Sequence, residues 1–209
     1  MKKKYLQFGC GSSNPEAFIN YDSSFNLYIQ RSIFRFLWRH KVVYPSNVIF
    51  GDVVKGLPIA PGSMKGIYSS HVLEHLSYND CRKALRNCFS YLEAGGIFRC
   101  VLPNLEAEIS SYLRMKQNGD KNAASKFMRF TFLGYEDRPS SLRQLLRWHL
   151  ATDRHFWMWD YDSLSTELLE AGFSSAKKSS YNMSADPVFN SAEDPSRFEF
   201  DALCIEAVK

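Results

Sequence analysis

Short apolar runs and amphipathic stretches alternate along the chain. The apolar runs are rich in β-branched and aromatic residues and are bounded by turn residues, which is the pattern of buried strands. They predict seven strands, at Lys4–Phe8, Phe18–Tyr21, Val48–Phe50, Gly66–Ser70, Ile97–Leu102, Ala176–Tyr181 and Phe200–Val208. Because helical stretches separate most of these strands, we expect an α/β sheet. The last two strands come after a helix and predict an antiparallel hairpin at a sheet edge.

The helical stretches carry start and stop signals. Ser77, with Asp80 three residues later, predicts the start of a helix that should end at Gly95-Gly96. Asp160–Gly172 is typical of another capped helix. Residues 105–159 are rich in aromatic residues and arginines, and they predict a helical insertion over the sheet.

The stretch Asn26–Val42 has the length of a helix and allows two interpretations. Arg31, Arg35 and Arg39 share one face with apolar residues nearby, a pattern that suits an anionic membrane surface. It equally suits a helix packed on the sheet with its arginines in water. Peripheral membrane contact therefore stays open at this point.

The composition indicates one globular domain. The chain has 209 residues, of which 45% are hydrophobic, so we expect residues 1–209 to form a single domain. No run approaches the ~20 apolar residues that a transmembrane helix needs. The N-terminal MKKKYLQFGCG lacks the apolar segment of a signal peptide. The five cysteines show no C-x-x-C spacing, so we expect reduced thiols and a cytoplasmic protein.

The net charge limits the kinds of molecule that the protein is expected to bind. The formal net charge is +4 and the pI is about 8.7. This is too mild to indicate nucleic acid binding, since such domains usually have a pI above about 9 and a clustered basic face. Small acidic molecules remain compatible with it. The arginines of the insertion suit phosphate or carboxylate groups, although solvated helix faces explain them equally well; they are Arg129, Arg138, Arg143, Arg147 and Arg154.

A glycine-rich turn follows the first predicted strand, and an acid follows each of the next two. Gly9 and Gly11 allow backbone N–H groups to approach an anionic ligand group closely. Asp22 stands where a carboxylate can accept both hydroxyls of a ribose, or simply cap a turn. Asp52 can accept a hydrogen bond from an exocyclic amine, or serve as a turn residue. All these residues lie at the carboxyl ends of successive strands, where open α/β sheets bind ligands.

The sequence HVLEH, from His71 to His75, fits the H-x-x-E-H pattern of zinc peptidases. That motif requires a continuous helix with both histidines and a third ligand, for which Glu167 or Glu170 would be candidates. Here a predicted strand ends just before His71, and a new cap at Ser77 begins the next helix. The sequence therefore favours a strand end lining a site of another kind, with His75 as a structural histidine.

Three segments carry a family resemblance in this order along the chain: YLQFGCGSSNPEAFINYD, FGDVVKGLPIAPGSMKGIYSSHVLEHL and LEAGGIFRCVLPNLE. They resemble the class I S-adenosylmethionine-dependent methyltransferases of the type-11 kind. The later segment RHFWMWDYDSLSTELLEAGF is similar to a bacterial branch often associated with cell-surface polysaccharide genes. The resemblance implies a Rossmann-like, mostly parallel seven-stranded sheet whose last strand is antiparallel. In this chain Ser12-Ser13-Asn14-Pro15 replaces the helix that usually follows the family's glycine loop.

The resemblance also implies a cofactor and its contacts. The cofactor is S-adenosylmethionine, and the product is S-adenosylhomocysteine. The implied binding residues are Gly9, Cys10 and Gly11 for the methionine part, Asp22 for the ribose, Asp52 and Val53 for the adenine, and Ser70 and His71 beside the sulfonium and the methyl acceptor.

Two histidines are candidate catalytic residues. His71 comes one residue after the fourth strand, where it could take a proton from an acceptor hydroxyl or amine, or simply pack against the cofactor. His155 lies in RHFWMWD, among aromatic residues that form either a wall above the cofactor or part of the core. We interpret Glu74 as a charge at a helix start.

The sequence thus predicts a methyltransferase that acts on an unidentified small-molecule acceptor. The likeness to the polysaccharide-associated branch favours a sugar or sugar-linked acceptor. We expect no metal requirement, because the cofactor itself carries the reactive group. Two alternatives stay open: a non-catalytic protein that binds S-adenosyl ligands and, more remotely, a zinc hydrolase that uses the H-x-x-E-H stretch.

Overall fold

A computed structural model describes residues 4–33, 43–138, 140–141 and 154–209 of the chain. Its centre is a seven-stranded sheet in the order β3-β2-β1-β4-β5-β7-β6. The strands are β1 Tyr5–Phe8, β2 Phe18–Asp22, β3 Val48–Phe50, β4 Met64–Ser70, β5 Leu92–Leu102, β6 Ser175–Lys178 and β7 Leu203–Val208. Strands β1 to β5 pair in parallel, and β7 is antiparallel to both of its neighbours. The predicted α/β fold, with its final antiparallel strand, is confirmed.

Five helices accompany the sheet in the described part of the chain. They are α1 Phe25–Arg31, α2 Tyr78–Tyr91, α3 Leu105–Gln117, α4 Ala123–Phe130 and α5 Tyr161–Ala171. The predicted start signals are confirmed, since Ser77 accepts a hydrogen bond from the Asp80 N–H at the start of α2. A capping box formed by Asp160 and Ser163 begins α5, and left-handed Gly172 ends it. No helix among the described residues is long and apolar enough to span a membrane.

The predicted stop of α2 at Gly95-Gly96 is wrong. The helix ends at Tyr91, because Leu92 leaves it to pair with Met64 and becomes fully buried at the start of β5. Gly95, with φ of +75°, lies instead at an irregular part of β5, where its N–H donates to the Lys209 carbonyl at 2.9 Å. These glycines therefore shape a strand and not a helix end.

Within the described residues, the helix predicted at Asn26–Val42 is confirmed at its start but ends earlier than expected. The helix α1 ends at Arg31, whose guanidinium donates to the backbone carbonyls of Pro45 at 2.5 Å and Val48 at 3.4 Å. Arg31 thus ties α1 to the start of β3. The other two arginines of the predicted face, Arg35 and Arg39, lie outside the described residues.

The C-terminal hairpin is shorter than predicted at its inner ends. Strand β6 stops at Lys178, and β7 begins at Leu203. The chain between them forms two 3-10 turns, Pro187–Ser191 and Pro195–Phe198, and then passes through left-handed residues, Phe200 and Asp201, before it re-enters the sheet. This connection covers one face of the sheet with Phe189, while α2 and α5 cover the other.

All five cysteines are buried and unpaired, as expected from their spacing. Burial, together with the nearby charge of Asp22, raises the pKa of the Cys10 thiol to about 12. The thiols therefore act as small apolar core groups.

Candidate active site

A cavity of about 1420 Å³ opens at the carboxyl ends of β1, β2 and β4. Its volume exceeds the roughly 300–1,000 Å³ of most small-molecule sites, so it has room for a cofactor and an acceptor together. Five of the nine predicted cofactor-binding and catalytic residues line it: Gly9, Gly11, Asp22, His71 and His155. Open parallel sheets bind ligands at this edge because the loops diverge there.

The backbone of the glycine loop packs closely against Val72, just after β4. Gly9 has φ of +62°, and a Cβ built there would lie 2.2 Å from Cγ2 of Val72. Gly11 has φ of +55°, but a Cβ there would meet nothing within 4 Å. The first glycine therefore serves the packing of the loop, whereas the second leaves open space facing the cavity.

Substitution by alanine is expected to have different effects at these two glycines. Gly9→Ala should lower the free energy of unfolding by about 2–3 kcal/mol, from left-handed strain and displacement of Val72. Gly11→Ala should cost only about 1 kcal/mol, yet weaken binding of a ligand that occupies the adjoining space. Denaturant unfolding and ligand titration of the two variants measure this separation. Equal stability losses in both would contradict the assigned roles.

The carboxylate of Asp22 joins β2 to the glycine loop. One oxygen, Oδ2, accepts a hydrogen bond from the Gly11 N–H at 2.8 Å, and Oδ1 accepts one from the Ser24 N–H at 2.8 Å. The residue is only 7% exposed, yet it lines the cavity. Both interpretations of this acid are thus compatible with the geometry: it holds the turn, and it presents a negative charge at the cavity edge.

Four residues of the predicted cofactor site do not line the cavity: Cys10, Asp52, Val53 and Ser70. The Cys10 side chain packs in a buried cluster behind the loop, so only its backbone remains for a ligand. Asp52 accepts a hydrogen bond from the Val54 N–H at 2.9 Å, which is its turn interpretation. Val53 is 5% exposed and belongs to the main core.

His71 has an unusual backbone and two engaged ring nitrogens. Its φ of +52° is in the left-handed region, which few non-glycine residues adopt outside special sites. Its Nε2 lies 3.0 Å from the Arg197 carbonyl oxygen, and its Nδ1 lies 3.4 Å from Oε1 of Glu74. Burial alone would lower the pKa of His71, but Glu74 and the Arg197 carbonyl outweigh burial and raise it. Because a hydrogen-bond acceptor faces each ring nitrogen, the protonated ring is favoured. A protonated ring has no lone pair and cannot accept a further proton.

The H-x-x-E-H stretch does not lie on one α-helix. The strand β4 ends at Ser70, a 3-10 turn covers Leu73–His75, and α2 begins at Tyr78. The candidate third ligand Glu167 is held elsewhere, by the Tyr78 hydroxyl and by Nε of Arg82 at 2.8 Å. The H-x-x-E-H stretch therefore does not have the helical arrangement of a zinc peptidase.

The aromatic segment around His155 divides between the two interpretations left open. Trp159 is 1% exposed and part of the core, whereas Phe156 is 57% exposed and lines the cavity. His155 lines the cavity as well, and burial lowers its pKa. The segment thus contributes side chains both to the hydrophobic core and to the cavity wall.

Arginines from several elements complete the outer wall: Arg114, Arg129, Arg154 and Arg197. The sequence pointed to Arg129 and Arg154, while Arg143 and Arg147 lie outside the described residues. It missed Arg197 and its neighbour Glu199, because the irregular connection before β7 carries no periodic signal. It also missed Val72, whose contact with Gly9 joins segments distant in the chain.

The sheet order, the antiparallel β7 and the cavity at the carboxyl ends of the strands define a Rossmann-like class I methyltransferase fold. Residues 6–100, which carry the glycine loop, both acids and His71, match the family model described as a methyltransferase domain. The matched residues make up just under half of the chain.

Solved structures agree with the fold. A SAM-dependent methyltransferase of Thermotoga maritima superposes with a TM-score of 0.51 at 14% identity, covering 100% of this chain and 83% of that one. The YcgJ protein of Bacillus subtilis superposes with a TM-score of 0.50 at 14% identity, covering 98% and 91%. No curated protein matches the sequence. At these identities the likeness establishes the fold and not the acceptor.

Proposed function

We propose that this protein transfers the methyl group of S-adenosylmethionine to a small-molecule acceptor. The observation that carries the proposal is the meeting of the glycine loop, Asp22 and His71 in one cavity at the carboxyl ends of β1, β2 and β4. The open space beside Gly11 and the carboxylate at the cavity edge both suit a ligand with an amino acid part and a ribose.

Each of the proposed binding residues would contact a different part of the cofactor. The backbone of the Gly9–Gly11 loop would hold its methionine part, and Asp22 its ribose. His71 would lie on the sulfonium side, whereas Asp52, Val53 and Ser70 lie outside the cavity and have no part in this proposal. When bound, the cofactor supplies an activated methyl group for in-line displacement by a heteroatom of the acceptor. The protein's contribution is alignment of the two partners and exclusion of water.

His71 would act by position more than by proton transfer. Its ring nitrogens face the Arg197 carbonyl and the Glu74 carboxylate, so the ring already has an acceptor on each side. With both N–H groups engaged in this way, the ring neither takes a proton from the acceptor nor donates to it. This favours the packing interpretation over the general-base one.

The acceptor would be acidic or sugar-containing. Four arginines line the wall, and guanidinium groups bind phosphate and carboxylate through paired N–H donors. Exposed aromatic rings such as Phe130 and Phe156 border the same cavity and offer flat apolar surfaces to a sugar ring. The resemblance to the polysaccharide-associated branch supports a sugar-linked acceptor by analogy alone.

A calorimetric titration of chelator-treated protein tests the proposal. We expect saturable one-to-one binding of S-adenosylmethionine and of S-adenosylhomocysteine. Incubation with a panel of phosphorylated sugars, sugar acids and neutral sugars should then produce S-adenosylhomocysteine with at least one acidic member. Binding without turnover on any acceptor would favour the non-catalytic alternative, and no binding of either ligand would overturn the proposal.

A further inference from the structure

A cluster of one carboxylate and two imidazoles lies in the cavity wall. Glu74, His75 and His155 each offer one ligand atom, and these atoms all lie within 4.8 Å of one another. All three residues line the cavity. Two segments distant in the sequence build the cluster: the 3-10 turn after β4 and the aromatic segment before α5.

Glu74 carries a fully buried carboxylate beside two imidazole rings. The residue is 0% exposed, and neither carboxylate oxygen has a hydrogen-bond partner among the described residues. Nearest among its ring neighbours are Nδ1 of His71 at 3.4 Å and Nε2 of His75 at 3.9 Å. Burying a carboxylate without hydrogen bonds is strongly unfavourable unless a cation compensates it. The position is therefore one that a bound cation would stabilise.

Both imidazoles of the cluster have one nitrogen engaged and the other available. His75 donates through Nδ1 to the Arg154 carbonyl oxygen at 2.5 Å, which leaves the lone pair on Nε2. His155 hydrogen-bonds the backbone of Thr131, while its Nδ1 is buried and has no hydrogen-bond partner in the described part of the chain. Histidines that bind metals commonly donate their second N–H to a carbonyl in this way, which fixes the ring and its tautomer.

Backbone bonds hold the two segments together. The N–H groups of Phe156 and Trp157 donate to the Glu74 carbonyl oxygen at 2.7 and 3.2 Å. With the His75–Arg154 bond, these contacts fix residues 154–157 against the turn. These hydrogen bonds to main-chain carbonyls thus fix the relative positions of the two segments that carry the cluster.

We propose that Glu74, His75 and His155 bind one divalent first-row transition-metal ion, for which Zn²⁺ serves as the probe. Two imidazole nitrogens and one carboxylate oxygen form a common ligand set for such ions, and three protein ligands leave a coordination position open. This position would face the cavity, because all three residues line it. The set differs from the H-x-x-E-H motif of zinc peptidases, since His155 replaces His71, whose Nε2 lies against the Arg197 carbonyl.

The ion would compensate the buried Glu74 carboxylate alongside His71 and offer the acceptor a binding position. An acceptor hydroxyl on the open position would lose its proton to solvent more readily, and its oxygen would then form the new bond to the methyl carbon as the sulfur–carbon bond breaks. The electron pair of that bond stays on sulfur. This second part rests on the proposed function, whereas binding of the ion does not.

Zinc titration of the chelator-treated full chain, without S-adenosylmethionine, tests the site. We expect one zinc per chain in calorimetry with a competing chelator, and ~100-fold or greater weakening in His155→Asn and in His75→Asn, since even changes around metal ligands cost 10–100-fold. Glu108→Gln, which changes a carboxylate of the same cavity outside the cluster, should leave the zinc affinity unchanged. Circular dichroism of each variant checks that it is folded.

Two outcomes would overturn the site: no saturable zinc binding by the folded wild type, or equal zinc affinity in wild type and both histidine variants. Titration of the same preparation with S-adenosylmethionine separates this result from the fate of the proposed function. Cofactor binding without zinc binding would reject the metal site alone. Zinc binding without cofactor binding would reject the proposed function alone.

Discussion

Asp22→Ala should weaken S-adenosylmethionine binding by at least about 100-fold, because a carboxylate that accepts ribose hydroxyls contributes about 1.5–3 kcal/mol per charge-assisted hydrogen bond. The side chain lies at the cavity edge and is largely buried, so solvent would screen the interaction only weakly. Calorimetric titration of wild type and variant measures the change.

The variant needs controls because Asp22 also holds the loop. Its loss releases the N–H groups of Gly11 and Ser24, which weakens the turn independently of any ligand. Asp22→Asn retains an acceptor oxygen and separates loss of charge from loss of the turn. Asp120→Ala, on the connection between α3 and α4, should leave the affinity unchanged. An Asp22→Ala protein that folds and keeps wild-type affinity would reject the ribose assignment.

Arg99→Leu should lower the free energy of unfolding by about 3–5 kcal/mol, the usual cost of removing one partner of a buried ion pair. Arg99 is 0% exposed and pairs with the buried Glu193 through Nε. Its Nη1 donates to Ser179 Oγ at 2.7 Å, and its Nη2 donates to the Ser180 carbonyl at 2.6 Å. Without the guanidinium, Glu193 becomes an uncompensated buried charge. Urea unfolding curves of the wild type and the variant measure the loss.

A double variant distinguishes the charge from the packing. Arg99→Leu with Glu193→Gln removes both charges, so we expect it to be more stable than Arg99→Leu alone. A loss below about 1 kcal/mol in the single variant, or no recovery in the double variant, would contradict a charge-based role.

The Arg99 pair also matters for the site. It anchors the connection between β6 and β7 just before Arg197, whose carbonyl oxygen contacts His71. The part of the cavity wall formed by Arg197 and Glu199 therefore depends on a buried ion pair made by an arginine of β5.

The elements with strong local signals were predictable from the sequence. The strand at Val48–Phe50, the cap at Ser77 and the capped helix after Asp160 agree with the structure, because apolar patterns and capping side chains act over a few residues. The glycine loop and Asp22 were also predictable, since turns after parallel strands converge at one sheet edge.

Non-local competition decided the rest. Gly95-Gly96 looks like a helix end, but burial of Leu92 against Met64 in the sheet outweighs the local signal. The segments that carry Glu74 and His155 are about eighty residues apart, and only the folded chain brings them together.

The sequence by itself determined the class of fold, the sheet edge at which the cavity opens and the position of the glycine loop, because each rests on short-range patterns and on the order of elements along the chain. The tertiary structure decided that His71 faces two acceptors, that Cys10 and Val53 are buried away from the cavity, and that His75 and His155 converge on a buried carboxylate. Side-chain direction and burial depend on contacts between distant segments, which no local pattern records.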